Sequence, residues 1–405
     1  MPEKKIVTKN CGTVDPKDID SSLAHDGFMA LVKARNQMTP EEVIAEVKAS
    51  GLRGRGGAGF PCAMKWEMAR RSPGNEKFLI CNADESEMGT FKDRHLVQND
   101  PFSLVEGIAI ASYAIGAARA YVYLRQEYHY LLDLLLEAIR QAEDKNLLNG
   151  LKIEVAEGAG AYVCGEETAL MNSIQGQRGE VRFRPPFPPV CGLWQQPTII
   201  NNVETLMNLP QIILNGASWF GMIGTAAGKG TKVFSISGDV EKPGIYELPL
   251  GSSLQELVID LAQAHNVKMV QVGGAPGRIV RGDCLDVPLG FETMLGSGAV
   301  VVFDSSRSVV RSVLSAVEFL AEESCGKCAP CREGTQVMVE IFERLSKGEG
   351  IRGDLETMEL LAKVMRDSSL CGLGQGIANP VLDSLELFKT EYENRIDQSS
   401  YLRTL

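Results

Sequence analysis

The sequence predicts an α/β protein in three parts: a Rossmann-like domain with a parallel sheet over residues 1–228, a β-grasp domain over 229–308, and a four-helix bundle over 309–405. Three observations predict this architecture. In the first part, apolar strands that end in polar residues alternate with amphipathic helices. A hairpin, a helix and further short strands follow, and the last part keeps the apolar spacing of packed helices. A chain of 405 residues is long enough for several such domains.

Composition and charge exclude several classes of function. The net charge of −11 argues against nucleic acid or an anionic membrane surface as the main partner. The apolar run over residues 107–124 is broken by Arg119 and predicts a buried helix (104–117) followed by a strand (120–124), so we expect no insertion into a membrane. Four histidines without zinc-binding spacing, and no G-x-S-x-G motif, argue against a hydrolase. Ten cysteines and no apolar leader predict a reducing, cytoplasmic location.

The glycine-rich stretch GLRGRGGAGFP, residues 51–61, contains the letters G-x-G-x-x-G at Gly54, Gly56 and Gly59. A dinucleotide fingerprint requires a strand before these glycines. Here the preceding residues predict a helix instead, with a capping box formed by Thr39 and Glu42. The loop therefore connects two helices, and the ordinary Rossmann interpretation fails.

The same loop still has the features of an anion site. It ends at the N-terminus of a helix that starts near Pro61, where free backbone N–H groups and the helix dipole attract negative charge. Arg53, Arg55 and Lys65 add positive charge. The alternative, left open by the loop alone, is a flexible surface segment.

Polar residues follow the predicted strands at the position where open α/β sheets bind ligands. The strand over residues 78–83 leads into the acidic stretch NADESE, residues 82–87. A second strand, residues 151–155, is followed by a glycine loop and a helix that starts with Gly165-Glu166-Glu167, and a third strand ends at Asn201 and Asn202, with Asn202 as a helix cap. Carboxylates suit sugar hydroxyls, ring N–H groups or an amide. The alternatives are a solvated acidic turn and glutamates that only complement a helix dipole.

The second part of the chain predicts a compact mixed sheet. Residues 232–251 form a hairpin with a Pro-Gly turn, Ser252 or Ser253 caps a helix over 254–266, and strands follow at 268–274 and 299–305. The stretch GGAPGR, residues 273–278, is similar to a phosphate-binding loop in its glycine content. In so small a domain we interpret it as a turn.

Four cysteines near the C-terminus have the spacing of an iron–sulfur site. Cys325, Cys328 and Cys331 form C-x2-C-x2-C, and Cys371 is a distant fourth ligand. Such spacing favours a [4Fe–4S] cluster. Zinc is the alternative metal, but zinc sites with four thiolates normally use two separated C-x2-C pairs. The remaining six cysteines show no metal spacing.

The quoted motifs, together with GAGAYVCGEETALMNS and INNVETL, closely resemble the flavin-bearing NADH-dehydrogenase subunit of respiratory complex I. They equally resemble its relatives in NAD-linked hydrogenases and formate dehydrogenases, and the resemblance covers nearly the whole chain. It implies two sets of site residues. Those implied for FMN are Gly54, Arg55, Gly56, Lys65, Asn82, Asp84, Glu85, Ser86, Gly165, Glu166, Ile200, Asn201, Asn202 and Thr205. Those implied for NADH are Phe60, Glu87, Glu167, Arg184 and Phe187. The family usually has Thr-Gly at Cys62-Ala63 and lysine at Arg184.

The resemblance also implies an activity and partners. FMN would accept a hydride from NADH, and the [4Fe–4S] cluster would accept electrons singly and pass them to other subunits. The implied partners are a small thioredoxin-like [2Fe–2S] subunit and a larger iron–sulfur subunit. Two alternatives are the NAD(H)-coupled diaphorase subunit of a soluble hydrogenase, formate dehydrogenase or electron-bifurcating complex, and a non-catalytic iron–sulfur scaffold without flavin.

Overall fold

The computed structural model describes residues 3–397. Its first part is built on four strands: β1 (Phe78–Ala83), β2 (Arg119–Leu124), β3 (Lys152–Glu157) and β4 (Thr198–Asn202). All neighbouring strands are parallel, in the order β3-β2-β1-β4, which confirms the predicted parallel sheet. Its helices are α1 (Ile19–Leu23), α2 (Met29–Gln37), α3 (Pro40–Ser50), α4 (Cys62–Arg71), α5 (Lys92–Asn99), α6 (Pro101–Ile115), α7 (Leu132–Asp144), α8 (Glu167–Ile174), α9 (Val203–Met207), α10 (Leu209–Asn215) and α11 (Ala217–Gly221).

Local sequence explains where the helices around the glycine loop begin and end. The capping box of α3 is present, because the Thr39 hydroxyl accepts from the Glu42 N–H and the Glu42 carboxylate accepts from the Thr39 N–H. Gly51 ends α3 in the left-handed conformation, with φ of 71°. Since α4 begins at Cys62, the loop connects two helices, as predicted.

The second part contains β5 (Thr231–Gly238), β6 (Gly244–Pro249), β7 (Val267–Val272), β8 (Arg278–Arg281) and β9 (Ala299–Asp304). The sheet order is β6-β5-β9-β7-β8. The pair β5/β9 is parallel and the other three pairs are antiparallel, as expected for a β-grasp. The strand β8 was not predicted from the sequence. The turn predicted at residues 273–278 is confirmed, because it joins β7 to β8.

The helix of this second part is shorter than predicted. Ser253, rather than Ser252, caps it by accepting from the Gln255 N–H at 3.1 Å. Its central segment, Glu256–Leu261, is wound as a π-helix. The prediction that the helix runs to residue 266 is wrong, because Gln263 and Asn266 adopt positive φ angles of 56° and 50°.

The third part is helical, as predicted. Four longer helices and two short ones make it up: α12 (Val309–Glu322), α13 (Ala329–Lys347), α14 (Asp354–Ser368), α15 (Gly372–Gly376), α16 (Ala378–Leu387) and α17 (Lys389–Glu393). No helix within residues 3–397 combines the length and the apolarity needed to cross a bilayer.

The buried side chains form three clusters, and these place the third part next to the first. One cluster lies between the first sheet and the helices α2, α3, α6 and α7. A second cluster is continuous from Ile80 and Tyr123 on the other face of that sheet, through Val163, to Val317 and Phe342 in the third part. The second sheet has a cluster of its own. The sheet and the cysteine-bearing helices therefore share one core, while the exact boundaries at 228/229 and 308/309 stay predictions.

Candidate functional site

The carboxyl end of β1 meets the loop that precedes α8. Asn82, the last residue but one of β1, donates through Nδ2 to the Gly165 carbonyl at 2.9 Å, and its Oδ1 accepts from the Asp84 N–H at 3.0 Å. A β-carbon at Gly165 would lie 3.7 Å from Asp84 Oδ2 and 3.9 Å from the Ser86 hydroxyl. Four of the residues predicted to bind FMN are thus brought together at one edge of the sheet, as the rule for parallel sheets requires.

Two carboxylate oxygens at this edge are buried and lack a hydrogen-bond partner within residues 3–397: Asp84 Oδ2 and Glu166 Oε1. Burial raises the pKa of Asp84 to about 7. The other carboxylate oxygen of Glu166 caps α8 by accepting from the N–H groups of Thr168 and Ala169. Glu166 Oε1 also lies 3.6 Å from Arg184 Nη2 and is ion-paired, whereas the costly unpartnered Asp84 Oδ2 calls for donors such as ring N–H groups or sugar hydroxyls. Such donors are present on an FMN molecule, so the residues fit that cofactor.

The glycine loop lies against the start of α9. A β-carbon at Gly56 would come within 2.9 Å of the Asn202 β-carbon, so only glycine fits there without a shift. Gly57 has φ of 131°, a conformation that side chains other than glycine rarely adopt. The backbone N–H of Arg55 donates to the Thr205 hydroxyl at 2.8 Å. These contacts hold the loop backbone beside the N-terminus of α9, which Asn202 caps.

The positive charges of the loop do not all face the same way. Arg53 donates to the Gly59 carbonyl and lies 4.1 Å from the centre of the Phe291 ring. Arg55 is fully buried, and its guanidinium donates to the carbonyls of Thr231, Lys229 and Arg53. Both side chains therefore stabilise the contact with the second part, and only the backbone of Arg55 faces the loop partner Thr205.

Lys65 supplies the cation at the mouth of the site. Its ammonium group donates to the Ile200 carbonyl at 2.9 Å and lies 3.6 Å from the Glu167 carboxylate. It thereby joins α4, the end of β4 and the start of α8.

Three further residues predicted to bind FMN use their side chains inside the protein. Glu85 is buried and accepts from the N–H groups of Asp93 and Arg94, and burial raises the pKa of Glu85 to about 7. Asn201 accepts from the indole N–H of Trp66 at 2.9 Å. Asn202 donates to Asp93 at 2.6 Å. These side chains hold the frame of the site, and their backbone groups lie at its edge.

The residues predicted to bind NADH include an ion pair at the start of α8. Arg184 pairs with Glu167 at 3.0 Å and lies 3.6 Å from Glu166. Phe60 and Phe187 are 45% and 49% exposed, so both rings are accessible to a ligand.

Glu87, the remaining residue of this set, is held by two segments that are distant from it in sequence. One carboxylate oxygen accepts from the Tyr162 hydroxyl at 2.7 Å, and the other from the Ala275 N–H at 2.7 Å. Burial outweighs these bonds and raises the pKa of Glu87 to about 6. Sequence reasoning missed both partners. Tyr162 stands in the quoted GAGAYVCGEE motif and could have been found there, whereas Ala275 lies 188 positions away and carries no chemical signal.

The four predicted cluster ligands meet in one small pocket. Cys325, Cys328, Cys331 and Cys371 line it. Within residues 3–397, no three His, Cys, Asp or Glu side chains converge closely enough to hold a single metal ion. The C-x2-C-x2-C spacing with a distant fourth cysteine is the feature that favours a cubane cluster over zinc. All ten cysteines are free of disulfides.

The flavin and cluster sites share a wall. The 3₁₀ turn Tyr162–Gly165 separates them. Val163 lines the cysteine pocket, and Gly165, two residues later, faces Asp84. This one turn therefore contributes residues to both the predicted flavin site and the cysteine pocket.

Comparisons with known proteins agree with this geometry. Residues 47–211 match the family model described as the Nuo51 FMN-binding domain. Residues 311–395 match the iron–sulfur binding region of NADH-ubiquinone oxidoreductase F.

Two relatives are similar over almost all of this chain. It is 44% identical to the NADP-reducing hydrogenase subunit HndC of Solidesulfovibrio fructosivorans, over 97% of this chain and 84% of that protein. It is 42% identical to an F-type subunit of the NADH-quinone oxidoreductase of Rhizobium meliloti (strain 1021), over 97% of this chain and 98% of that protein.

A solved structure of an NAD⁺-reducing [NiFe]-hydrogenase in the H₂-reduced state matches with a TM-score of 0.85 and 42% identity. The match covers 89% of this chain and 63% of that one. The chain therefore spans somewhat less than two thirds of that hydrogenase chain. With both family regions matched in order and two relatives more than 40% identical over almost all of it, the chain belongs to the family of FMN-binding, iron–sulfur subunits of NADH-quinone oxidoreductases and related hydrogenases.

Proposed function

We propose that this protein is the subunit through which electrons from NADH enter a larger redox complex. The observation that carries the proposal is the shared wall: Val163 lines the cysteine pocket, and Gly165 of the same turn faces the unpartnered carboxylate of Asp84. When bound there, FMN accepts the hydride of NADH as an electron pair and releases electrons one at a time to the cluster. The protein's share is binding, orientation and shielding from water.

The residues divide this work among themselves. The glycine loop and Lys65 bind the FMN phosphate through backbone N–H groups and one fixed charge. Asp84 and Glu166 accept from the ring or its sugar chain at the inner end. Glu167, Arg184 and the exposed rings of Phe60 and Phe187 bind the nucleotide at the mouth, with Glu87 behind them. The four cysteines hold the [4Fe–4S] cluster.

Among the alternatives, the scaffold without flavin is disfavoured. A scaffold would have no reason to leave Asp84 Oδ2 buried without a donor, since that arrangement costs stability. The parent complex is a separate question. We infer a complex I-type partner set, a thioredoxin-like [2Fe–2S] subunit and a larger iron–sulfur subunit, with a hydrogenase or formate dehydrogenase complex as the alternative. A cytoplasmic location is supported by ten free thiols.

The experiment is purification from the native cell followed by three measurements on one sample. Flavin, iron and NADH–ferricyanide reductase activity are assayed, and co-purifying subunits are identified by mass spectrometry. We expect one FMN and about four irons per chain, because one cubane cluster contains four. A protein that holds iron but no flavin, and does not oxidise NADH, would overturn the proposal in favour of the scaffold.

A further inference from the structure

The Glu87 carboxylate is held by hydrogen bonds from the first and the second part of the chain. It follows β1 in sequence and accepts from the N–H of Met88 at 3.0 Å. Tyr162, from the turn beside the cysteine pocket, donates to one oxygen. Ala275, from the second sheet, donates to the other through its backbone. Hydrogen bonds to an ionised carboxylate are stronger than neutral ones, so these donors fix the orientation of the group.

The segment that contains Ala275 is the β7–β8 turn, residues 273–277. Gly273 and Gly274 have φ angles of 102° and 89°, and the Gly277 N–H closes the turn on the Gly274 carbonyl at 2.9 Å. A β-carbon at Gly274 would lie 2.2 Å from Glu87 Cδ. The backbone of the turn is thus pressed against the carboxylate. This is the GGAPGR stretch, which is not explained by a phosphate-binding role.

The other side of the β7–β8 turn rests on the cysteine-bearing helices. The Pro276 carbonyl accepts from Asn379 Nδ2 at 2.8 Å. A β-carbon at Gly376 would lie 2.4 Å from the Pro276 β-carbon, so Pro276 packs directly on the last residue of α15. The helix α15 begins immediately after the cluster ligand Cys371. The turn is therefore clamped between Glu87 on one side and the helices that follow Cys371 on the other.

We propose that the β7–β8 turn positions Glu87 for the nicotinamide nucleotide, with the Ala275 N–H as the positioning donor and Asn379 and Gly376 as its support. The proposal rests on the proposed function, in which Glu87 contacts the nucleotide. Loss of the Ala275 donor frees the carboxylate to rotate away from the orientation that binds the ligand. The cysteine-bearing helices thereby influence nucleotide affinity without touching the nucleotide.

The test uses the holoprotein and NAD⁺ as the probe, because NAD⁺ binds without reducing the flavin. Ala275→Pro removes the N–H, and Ala275→Gly keeps it. Calorimetry should give about tenfold weaker NAD⁺ binding for Ala275→Pro, the size expected for one lost hydrogen bond to a charged group. Ala275→Gly should bind NAD⁺ with an affinity within about twofold of that of the wild type. In NADH–ferricyanide assays, Ala275→Pro should raise KM and leave kcat nearly unchanged, since the hydride acceptor is intact.

Asn379→Ala provides a second variant for the case in which proline disrupts the fold. Asn379 lies among the helices of the third part, and its replacement removes the donor to the Pro276 carbonyl. We expect about threefold weaker NAD⁺ binding, as for one neutral hydrogen bond, with flavin and iron contents unchanged.

Two results would overturn the proposal, and they differ in what else they affect. If Glu87→Gln weakens NAD⁺ binding while Ala275→Pro and Asn379→Ala do not, the turn has no positioning role and the proposed function stands. If Glu87→Gln leaves NAD⁺ binding unchanged, Glu87 is not a nucleotide contact, and that part of the proposed function fails together with the positioning role.

Discussion

Replacing Asp84 by asparagine should stabilise the flavin-free protein and should weaken its affinity for FMN. Asp84 Oδ2 is buried without a partner among residues 3–397, and burial raises the pKa of Asp84 from its ordinary value of 3.8 to about 7. Between pH 3.8 and about pH 7, the native protein therefore keeps a proton that the unfolded chain has released. Stability falls as pH rises across this window, because the unfolded state holds fewer protons.

The size of the effect follows from the pKa difference. About three pH units at 1.36 kcal/mol each give a penalty of about 4 kcal/mol above pH 7. The asparagine amide has an unpartnered polar group of its own, which costs about 1–3 kcal/mol. The Asp84→Asn protein, freed of flavin, should thus be more stable than the wild type by about 1–3 kcal/mol at pH 8 and should lose that advantage near pH 4.

Flavin binding should change in the opposite direction. If the asparagine amide presents its N–H to an N–H or hydroxyl donor of FMN, the hydrogen bond from that donor to the charged carboxylate is lost. This loss costs about 1.5–3 kcal/mol. FMN should bind about ten- to a hundredfold more weakly to Asp84→Asn.

The assay is urea unfolding of flavin-depleted protein from pH 4 to pH 8, with FMN affinity measured by fluorescence quenching. Asp239→Asn is the matched control: Asp239 is bonded to Arg307, which lowers the pKa of Asp239, so this change should not stabilise the protein at any pH. If Asp84→Asn shows no stabilisation that grows with pH and no loss of FMN affinity, then Asp84 is not an acceptor reserved for flavin.

Three further predictions concern the cofactors. Cys371→Ser should remove most of the iron and leave FMN bound, since serine keeps the size of a side chain that lines the cysteine pocket; parallel loss of both cofactors in one sample would contradict this. Lys65→Ala should weaken FMN by about ten- to a hundredfold and leave riboflavin, which lacks the phosphate, nearly unaffected; an equal loss for both would place Lys65 away from the phosphate. Gly56→Ala should weaken FMN much more than Gly54→Ala in the same quenching assay, because a β-carbon at Gly56 approaches Asn202 to 2.9 Å and one at Gly54 meets nothing closer than 3.7 Å. Equal effects would show that close packing on Asn202 is not what the loop requires.

Much of the fold could be predicted because its signals are local. The capping box at Thr39 and Glu42 and the glycine at Gly51 identify α3 from a few neighbouring residues, and hence the loop between two helices. The parallel strands were identified by apolar runs that end in polar residues, such as β1 before Asp84. The spacing of the four cysteines likewise predicts their meeting in one pocket.

What sequence could not provide were contacts between distant segments. Arg55 looks like a phosphate ligand, yet its guanidinium is used by carbonyls of residues 229 and 231, which packing alone brings near. Glu85 stands among acidic neighbours predicted to face a ligand, yet it accepts from backbone N–H groups at the start of α5. The β7–β8 turn was recognised as a turn, but its contact with Glu87 depends on how two sheets pack, and no periodicity or motif reports that.

The central claim is that electrons pass from NADH to the flavin and then to the cluster within this single chain. The most direct measurement is an anaerobic titration of the purified protein with NADH, with flavin absorbance and the electron paramagnetic resonance of the cluster recorded on the same samples. We predict that NADH bleaches the flavin, that the signal of a reduced [4Fe–4S] cluster appears, and that Cys371→Ser abolishes the second change alone. A flavin that NADH reduces while the intact cluster stays oxidised even with excess NADH, or a protein in which NADH reduces neither group, would contradict it.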